Sequence, residues 1–310
     1  MPGAADGVGA AWAMPPVGAV RCVHAAGAAL GEGVLWSVRE QALYWVDILG
    51  RQLHRWRLGD GERAQWTFDE EISAVAERRD APGLLVTLRR GFAWFDPATG
   101  AAPRYLHQPA EPSGNRFNDG KCDAQGRFWG GTMDFDCQQP TGALYRYDPD
   151  GQCSRHDEGF VVTNGPTWAG AAQGGHLYFN DTVQGCVYRY DFDPVRGSVS
   201  NKQLWLRLAE GDGVPDGMTT DAQGRVWIAH WGGACVSCHH PETAQELGRV
   251  HLPTSHVTNC AFGGADLQTL FISTARTGLS PEQLAAQPLA GGLFAVDVGS
   301  PGMPAHLFGG

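Results

Sequence analysis

Short runs of β-branched and aromatic residues recur along the chain, and most end near an aspartate or a glycine-containing turn. The run at residues 43–47, for example, is followed after a short turn by a second run at residues 53–56. Runs of this length, joined by turns rich in Gly, Asp and Asn, are typical of β-hairpins. The pattern therefore predicts a series of hairpins, which begin near Leu43, Leu84, Phe128, Leu177, Val226 and Leu270.

The hairpins recur at a nearly constant spacing. Equivalent positions are separated by 41, 44, 49, 49 and 44 residues, and these positions are Tyr44, Leu85, Trp129, Tyr178, Trp227 and Phe271. A period in the forties built from strands and turns is the signature of a β-propeller, whereas a sandwich of unrelated hairpins would not repeat so regularly. The sequence predicts an all-β fold, a six-bladed β-propeller formed as a single domain by residues 20–310, in which a strand at residues 20–23 closes the last blade.

Residues 1–19 are rich in Ala, Gly and Pro and contain no Lys or Arg, so they are expected to form a flexible N-terminal tail and not a signal peptide. Two insertions interrupt the hairpin pattern, at residues 133–141 and 274–288. The second contains Ser280 as a candidate N-cap and Pro281 at the first helical position. One short surface helix is expected there.

Composition limits the classes of partner. The formal net charge of -10 argues against nucleic-acid binding, and no apolar run is long enough to span a membrane. The eight cysteines are scattered through a long chain, as expected of reduced thiols in the cytoplasm. Cys235 and Cys238 are spaced like half of a zinc site, but no second such pair accompanies them. A cytoplasmic protein that acts on a small molecule, as a monomer or weak homo-oligomer, is expected.

Polar side chains occur at a matched position upstream of the aromatic anchor in four of the six units. They lie 12, 11, 14 and 11 residues before their anchors, and they are Glu32, Asn118, Asn164 and Asp216. Singly, each is an ordinary residue of a solvated turn. At matched register they are expected to converge on the central channel, where two carboxylates and two amide oxygens would suit a divalent metal site. Ca²⁺, Mg²⁺ or Mn²⁺ fits these ligands first, and Zn²⁺ or Fe²⁺ remains open.

Several motifs in the chain are similar to those of one known family. The chain resembles the senescence-marker/regucalcin/gluconolactonase family of six-bladed propeller lactonases from about residue 31 to residue 296. The motifs that carry the resemblance are Gly31-Glu32-Gly33, Arg116-Phe117-Asn118-Asp119-Gly120-Lys121, Thr163-Asn164-Gly165, Pro215-Asp216-Gly217-Met218, Phe262-Gly263-Gly264-Ala265-Asp266 and Pro288-Leu289-Ala290-Gly291-Gly292.

The resemblance implies roles for individual residues. It implies that Glu32, Asn164 and Asp216 are the metal ligands and that Arg116 and Asn118 contact the substrate. An acidic residue that contacts the sugar in animal members aligns with Asp136, although Asp is shorter than the Glu that it replaces. Asp181 matches an acidic position beside the site with a supporting role.

These groups define an expected chemistry. A divalent ion would polarise a lactone carbonyl, and Asp216 would take a proton from the attacking water. The sequence therefore predicts metal-dependent hydrolysis of a sugar-derived aldonolactone. Two alternatives are a calcium-binding regulatory protein of the regucalcin type and a lactonase for a non-aldonic lactone. Arg116, Asn118 and Asp136 favour an enzyme, because an ion binder does not need polar groups that face a substrate.

Overall fold

Six antiparallel sheets of four strands each surround a central channel in the computed structural model, which describes residues 12–170 and 175–310. The first strand along the chain is β1 (Arg21–His24), which belongs to the last blade. The first blade contains β2 (Gly31–Ser37), β3 (Ala42–Asp47), β4 (Gln52–Arg57) and β5 (Arg63–Thr67). The second contains β6 (Ile72–Glu77), β7 (Leu84–Leu88), β8 (Gly91–Phe95) and β9 (Arg104–His107).

The remaining blades follow the same order from the channel outwards. The third contains β10 (Asn115–Cys122), β11 (Phe128–Asp134), β12 (Gly142–Tyr147) and β13 (Cys153–Phe160). The fourth contains β14 (Thr163–Ala169), β15 (His176–Asp181), β16 (Cys186–Asp193) and β17 (Ser198–Arg207). The fifth contains β18 (Val214–Thr220), β19 (Val226–Trp231), β20 (Cys235–His239) and β21 (Glu246–His251). The sixth contains β22 (Val257–Gly263), β23 (Thr269–Thr274) and β24 (Leu293–Asp297).

The ring closes where the two ends of the chain meet. The N-terminal strand β1 pairs with β24 as the outer strand of the sixth blade, with Arg21 opposite Ala295. These backbone hydrogen bonds complete the sixth blade as a sheet of four strands, and they hold the N-terminal strand, which leads into the first blade, against the C-terminal strand. The predicted six-bladed propeller and the closure of its last blade by an N-terminal strand are both confirmed.

The single helix of the described residues is α1 (Pro281–Ala286), in the insertion that follows β23. The Ser280 hydroxyl accepts a hydrogen bond from the Gln283 amide, and the Gln283 side chain accepts one from the Ser280 amide. This capping box satisfies two amide groups at the start of the helix and confirms the predicted position. Within the described part of the chain, no helix combines the length and the apolar character needed to cross a bilayer.

The predicted N-terminal tail lies partly outside the described residues, which begin at position 12. Residues 12–19 contact the propeller. The Pro16 carbonyl accepts a hydrogen bond from the Gly299 amide at 2.7 Å, and the Ala13 carbonyl accepts one from Arg225 at 2.8 Å. Met14 packs against the apolar cluster between the fifth and sixth blades. These residues therefore follow the outer surface of the ring.

The near-identical segments at residues 123–129 and 221–227 form the same buried turn in two blades. Asp221 accepts hydrogen bonds from the backbone of Gln223 and Arg225, from Arg225 Nε at 2.6 Å and from the Trp227 indole at 3.0 Å. Asp123 makes the equivalent four contacts in the third blade. The repeat in the sequence thus encodes a carboxylate that joins the turn before the second strand to the body of its blade.

Candidate metal and substrate site

The predicted site residues lie at β-bulges in the innermost strands. In β2 the pairing register shifts between Glu32 and Leu35, in β14 between Asn164 and Thr167, and in β18 after Pro215. A bulge turns a side chain away from the strict alternation of a strand. Glycines follow the ligand positions and allow this backbone, because Gly33 and Gly165 have φ values of 58° and 84°. The glycine-flanked motifs therefore aim polar groups along the channel axis.

The structure brings the three predicted metal ligands together in the channel. Glu32, Asn164 and Asp216 are 4%, 2% and 5% exposed, so all three lie out of bulk water. Burial, reinforced by the nearby Asp119 carboxylate, raises the pKa of Glu32 to about 7. Burial and the adjacent Glu32 carboxylate also raise the pKa of Asp216 well above its usual range. Two neighbouring buried carboxylates of this kind either hold a proton or face a cation.

A chain of hydrogen bonds links the predicted substrate-binding residues to the metal ligands. Arg116 Nη1 donates to Asn118 Oδ1 at 2.6 Å, and Asn118 Nδ2 donates to Asn164 Oδ1 at 3.0 Å. Asn164 Nδ2 donates in turn to the Thr182 hydroxyl at 2.8 Å. The direction of these bonds fixes each amide and leaves the second lone pair of Asn164 Oδ1 for another partner. Burial lowers the pKa of Arg116 to about 10, and its guanidinium therefore still carries a charge near neutral pH.

The side chains on one end of the channel line a cavity of about 620 Å³. Its polar wall contains Glu32, Arg116, Asn118, Asn164 and Asp216. Its apolar wall comes from the surrounding loops and includes Leu30, Leu49, Met133, Phe135, Val162, Val183 and Trp231. A cavity of this size with convergent polar groups and apolar sides is suited to a small organic molecule.

Asp136, the third residue predicted to contact a substrate, does not line this cavity. It is exposed on the loop after β11, while its neighbours Phe135 and Cys137 line the cavity. The hydrogen bond from the Phe135 amide to the Gly114 carbonyl at 2.9 Å holds the start of this loop against the inner strand of the third blade. The role assigned to Asp136 stays a prediction, and Phe135 occupies the wall of the cavity at this point. Asp181 is buried beside the site and does not line the cavity.

Two polar residues of the site did not enter the predicted set. Asn259 Nδ2 donates to Glu32 Oε2 at 2.9 Å and to Asp119 Oδ2 at 3.3 Å, and so it lies between these carboxylates. Asp119 is 3% exposed, and burial raises its pKa. The bulge between Phe117 and Gly120 explains why neighbouring residues both face the channel. The Thr258-Asn259 pair has nearly the same register as the predicted ligands, so the sequence does indicate that Asn259 faces the channel. The sequence does not indicate the bulge that turns Asp119 towards the channel.

The donor set fits a divalent metal ion. The predicted ligands supply two carboxylates and an amide oxygen, and the nearby Oδ1 of Asn180 is buried without a hydrogen-bond partner among the described residues. Oxygen donors of mixed charge suit hard divalent cations such as Ca²⁺, Mg²⁺ or Mn²⁺. Over residues 12–170 and 175–310, no group of three or more His, Cys, Asp and Glu side chains has the arrangement of a metal centre. The predicted metal ligands include only two side chains of these types, Glu32 and Asp216, and the third ligand is the amide of Asn164.

Comparisons with known proteins agree with the fold and motifs. The profile of the SMP-30/Gluconolactonase/LRE-like region matches residues 30–276. A 6-deoxy-6-sulfogluconolactonase of Pseudomonas putida is 37% identical over 292 residues, which cover 94% of this chain and 99% of the relative. Regucalcin of Gallus gallus is 31% identical over 297 residues, which cover 94% and 98%. A crystal structure of a calcium-binding protein, regucalcin, from Agrobacterium tumefaciens superposes with a TM-score of 0.88 at 26% identity and covers 94% of this chain and 97% of its own.

The family match spans most of the propeller and includes each motif at which an inner strand places a polar side chain in the channel. The relatives are matched over nearly their whole length. The resemblance stated from the sequence is confirmed, and the chain belongs to the SMP-30/Gluconolactonase/LRE-like family.

Proposed function

We propose that the protein is a metal-dependent lactonase that hydrolyses a sugar-derived aldonolactone to the aldonic acid. The observation that carries the proposal is the composition of one cavity wall, where two buried carboxylates and an amide lie beside the linked pair Arg116 and Asn118. The first group suits a cation, and the second suits the hydroxyl and carbonyl oxygens of a sugar lactone. A relative named as a gluconolactonase of a sulfonated sugar supports this class of substrate.

Glu32, Asn164 and Asp216 would hold the metal ion, which when bound would act as a Lewis acid toward the carbonyl of the ester. Arg116 and Asn118 would orient the lactone through its oxygens, because the guanidinium donates in a plane and the amide both donates and accepts. Their mutual hydrogen bond of 2.6 Å fixes this pair before a substrate arrives. Such preorganisation lowers the cost of binding in a reactive orientation.

Asp216 would also serve as the general base. It would accept a proton from a water molecule as the water oxygen bonds to the carbonyl carbon, and the carbonyl π electrons would move onto the carbonyl oxygen. Collapse of the tetrahedral intermediate would break the bond between the carbonyl carbon and the ring oxygen. The proton held by Asp216 would pass to the released alkoxide, and the product would be the open-chain hydroxy acid. The buried position of Asp216, 5% exposed, keeps competing bulk water away from the carboxylate.

Proton release from a panel of aldonolactones tests this proposal, measured after chelation and after the return of each divalent ion, with spontaneous hydrolysis subtracted. We expect activity that disappears with chelator and returns with one ion. Asp216→Asn is expected to lower kcat by at least about a hundredfold. The matched control is Asp80→Asn, because Asp80 is exposed and does not line the cavity. Substantial hydrolysis by Asp216→Asn with metal still bound would show that Asp216 is not the general base.

A calcium-binding regulatory role is the second candidate. The relatives named regucalcin and calcium-binding protein favour it, and it uses the same cation ligands. It gives no function to the 620 Å³ cavity or to its Arg116–Asn118 pair. Tight ion binding, measured by calorimetry, together with no rate above background on any lactone would favour this candidate over the enzyme.

A further inference from the structure

Two guanidinium groups lie against Phe135 at the edge of the 620 Å³ cavity. The Cζ atom of Arg89 is 4.8 Å from the centroid of the Phe135 ring, and that of Arg116 is 5.9 Å from it. Phe135 itself lines the cavity. Cation–π contacts of this length hold each arginine near the ring. A ligand group beside Phe135 would therefore lie close to two positive charges from different blades.

Arg116 has no anionic partner of its own. Its side chain is almost fully buried, yet it forms no ion pair within 4.0 Å in the described part of the chain. Nη1 donates to the Phe117 carbonyl at 2.9 Å and to Asn118 Oδ1, and these are its hydrogen bonds to the described residues. Burial of a guanidinium destabilises the folded protein unless an anion or several hydrogen-bond acceptors contact it. The remaining N–H groups of Arg116 are therefore available to a ligand.

Arg89 is only partly neutralised. It pairs with Glu71 at 3.5 Å, and the same carboxylate is shared with Arg51 at 3.7 Å. Glu71 is 8% exposed, whereas the side chain of Arg89 is 34% exposed and reaches solvent. Two guanidinium groups share this one carboxylate, so the cluster of Arg51, Arg89 and Glu71 has a net positive charge. Arg89 can therefore contact a second anion without losing Glu71.

A smaller cavity of about 250 Å³ continues from Arg116 towards the turn between β7 and β8. Its wall contains Arg89, Arg90 and Arg116 together with the single carboxylate Glu111. Both oxygens of Glu111 are already occupied, by a tyrosine hydroxyl and an asparagine amide, each at 2.6 Å. Three arginines, with Gln108 and Ser113, supply side-chain donors to this cavity, and the excess of guanidinium groups over carboxylates favours an anionic ligand.

We propose that the preferred substrate is a sugar lactone that carries an anionic group, a phosphate, sulfonate or carboxylate, on a carbon remote from the ring ester, and that Arg116 and Arg89 bind this group beside Phe135. The inference rests on the proposed lactonase function and specifies its substrate class. It differs from recognition of a neutral sugar because two guanidinium groups would form charge-assisted hydrogen bonds to the same anion. Arg89 would be a residue that determines specificity, away from the reacting bond.

The test compares gluconolactone with analogues that carry a phosphate, a sulfonate or a carboxylate on the terminal carbon. We expect at least one anionic analogue to exceed the neutral lactone in kcat/KM by about tenfold or more, mainly through a lower KM. Arg89→Gln should reduce that preference by about tenfold and leave kcat/KM for the neutral lactone within about twofold. The matched control is Arg104→Gln, since Arg104 is exposed in the outer strand of the same blade and lines neither cavity.

Binding provides a readout that does not depend on turnover. Calorimetry would compare gluconate with its analogue phosphorylated on the terminal carbon, in metal-free and metal-loaded protein, with and without Arg89→Gln. The inference is overturned if the compounds with and without the terminal anionic group are turned over and bound equally, or if Arg89→Gln affects both to the same extent. If no lactone at all is hydrolysed, the proposed function fails, and the calorimetric comparison alone then supports or overturns the anion site.

Discussion

The buried turn of the fifth blade offers a sharp test of how the propeller is held together. Asp221 and Arg225 form an ion pair at 2.6 Å, with side chains 0% and 4% exposed. Nη2 of Arg225 is already buried without a hydrogen-bond partner in the described residues, so Asp221 is its sole ionic partner there. We expect Asp221→Asn to lower the free energy of unfolding markedly, because it removes the charge that compensates Arg225.

The magnitude follows from burial. Removal of one member of a buried ion pair costs about 3–5 kcal/mol, because the other charge is left without compensation. The oxygen of Asn can replace Oδ1, which accepts from the two turn amides, whereas its NH2 group would face the Arg225 Nε and Trp227 indole donors that Oδ2 accepts from. The loss therefore concerns Arg225 and, to a smaller extent, Trp227. The double variant Asp221→Asn with Arg225→Met removes both charges and should cost less than Asp221→Asn alone.

Urea unfolding followed by tryptophan fluorescence measures the effect. With a slope near 3 kcal/mol per M, a loss of about 4 kcal/mol moves the midpoint down by about 1.3 M. The control Asp80→Asn concerns an exposed residue and should move the midpoint by less than about 0.2 M. The reasoning is refuted if Asp221→Asn shifts the midpoint no more than the control, or if the double variant is less stable than the single one.

Three further predictions concern pH, the C-terminal segment and the metal site. Burial lowers the pKa of His54 and His156 to about 4, so each contributes stability that is present above pH 6.5 and is lost between pH 6.5 and 4. The raised pKa of Glu32 acts in the opposite sense in this range, so the test is the difference in unfolding midpoint between the protein and the double variant His54→Gln with His156→Gln. That difference should shrink as the pH falls from 6.5 to 4, and a difference that does not change with pH would contradict the reasoning. Phe308 is 1% exposed in the apolar cluster between the second and third blades. Phe308→Ala should lower the free energy of unfolding in urea by about 3–4 kcal/mol, and a loss under about 1 kcal/mol would show that the C-terminal segment is not anchored there. A Cβ atom at Gly217 would lie 2.4 Å from Asn259 Cγ, so Gly217→Ala should displace Asn259. Calorimetry should then show that divalent ions bind about tenfold more weakly. An unchanged affinity would show that Asn259 does not support the site.

Much of the site was predictable because the blades repeat. The register of the inner strands relative to the aromatic anchors predicts Glu32, Asn118, Asn164 and Asp216, and all four lie in one cavity. Asp119 was not identified, because strict alternation in a strand would turn it away from its neighbour Asn118. The bulge in β10 removes that alternation and brings both side chains into the channel.

The path of the loop after β11 could not be predicted from the sequence. The family resemblance implied that Asp136 contacts a substrate, whereas the loop exposes Asp136 and places Phe135 on the cavity wall. The path of a loop depends on the surfaces that it packs against, here the Gly114 carbonyl and the two arginines. None of these partners adjoins the loop in the sequence.

The sequence by itself determined the all-β class, the number of blades, the capped helix and the polar register of the inner strands, because each depends on local periodicity or on local hydrogen bonds. Only the tertiary structure decided which groups share one environment. It placed Arg89 of the second blade and Arg116 of the third on the same aromatic ring, and Asn259 of the sixth blade between carboxylates of the first and third. Closure of the ring sets these contacts, since it brings residues from distant segments to one axis.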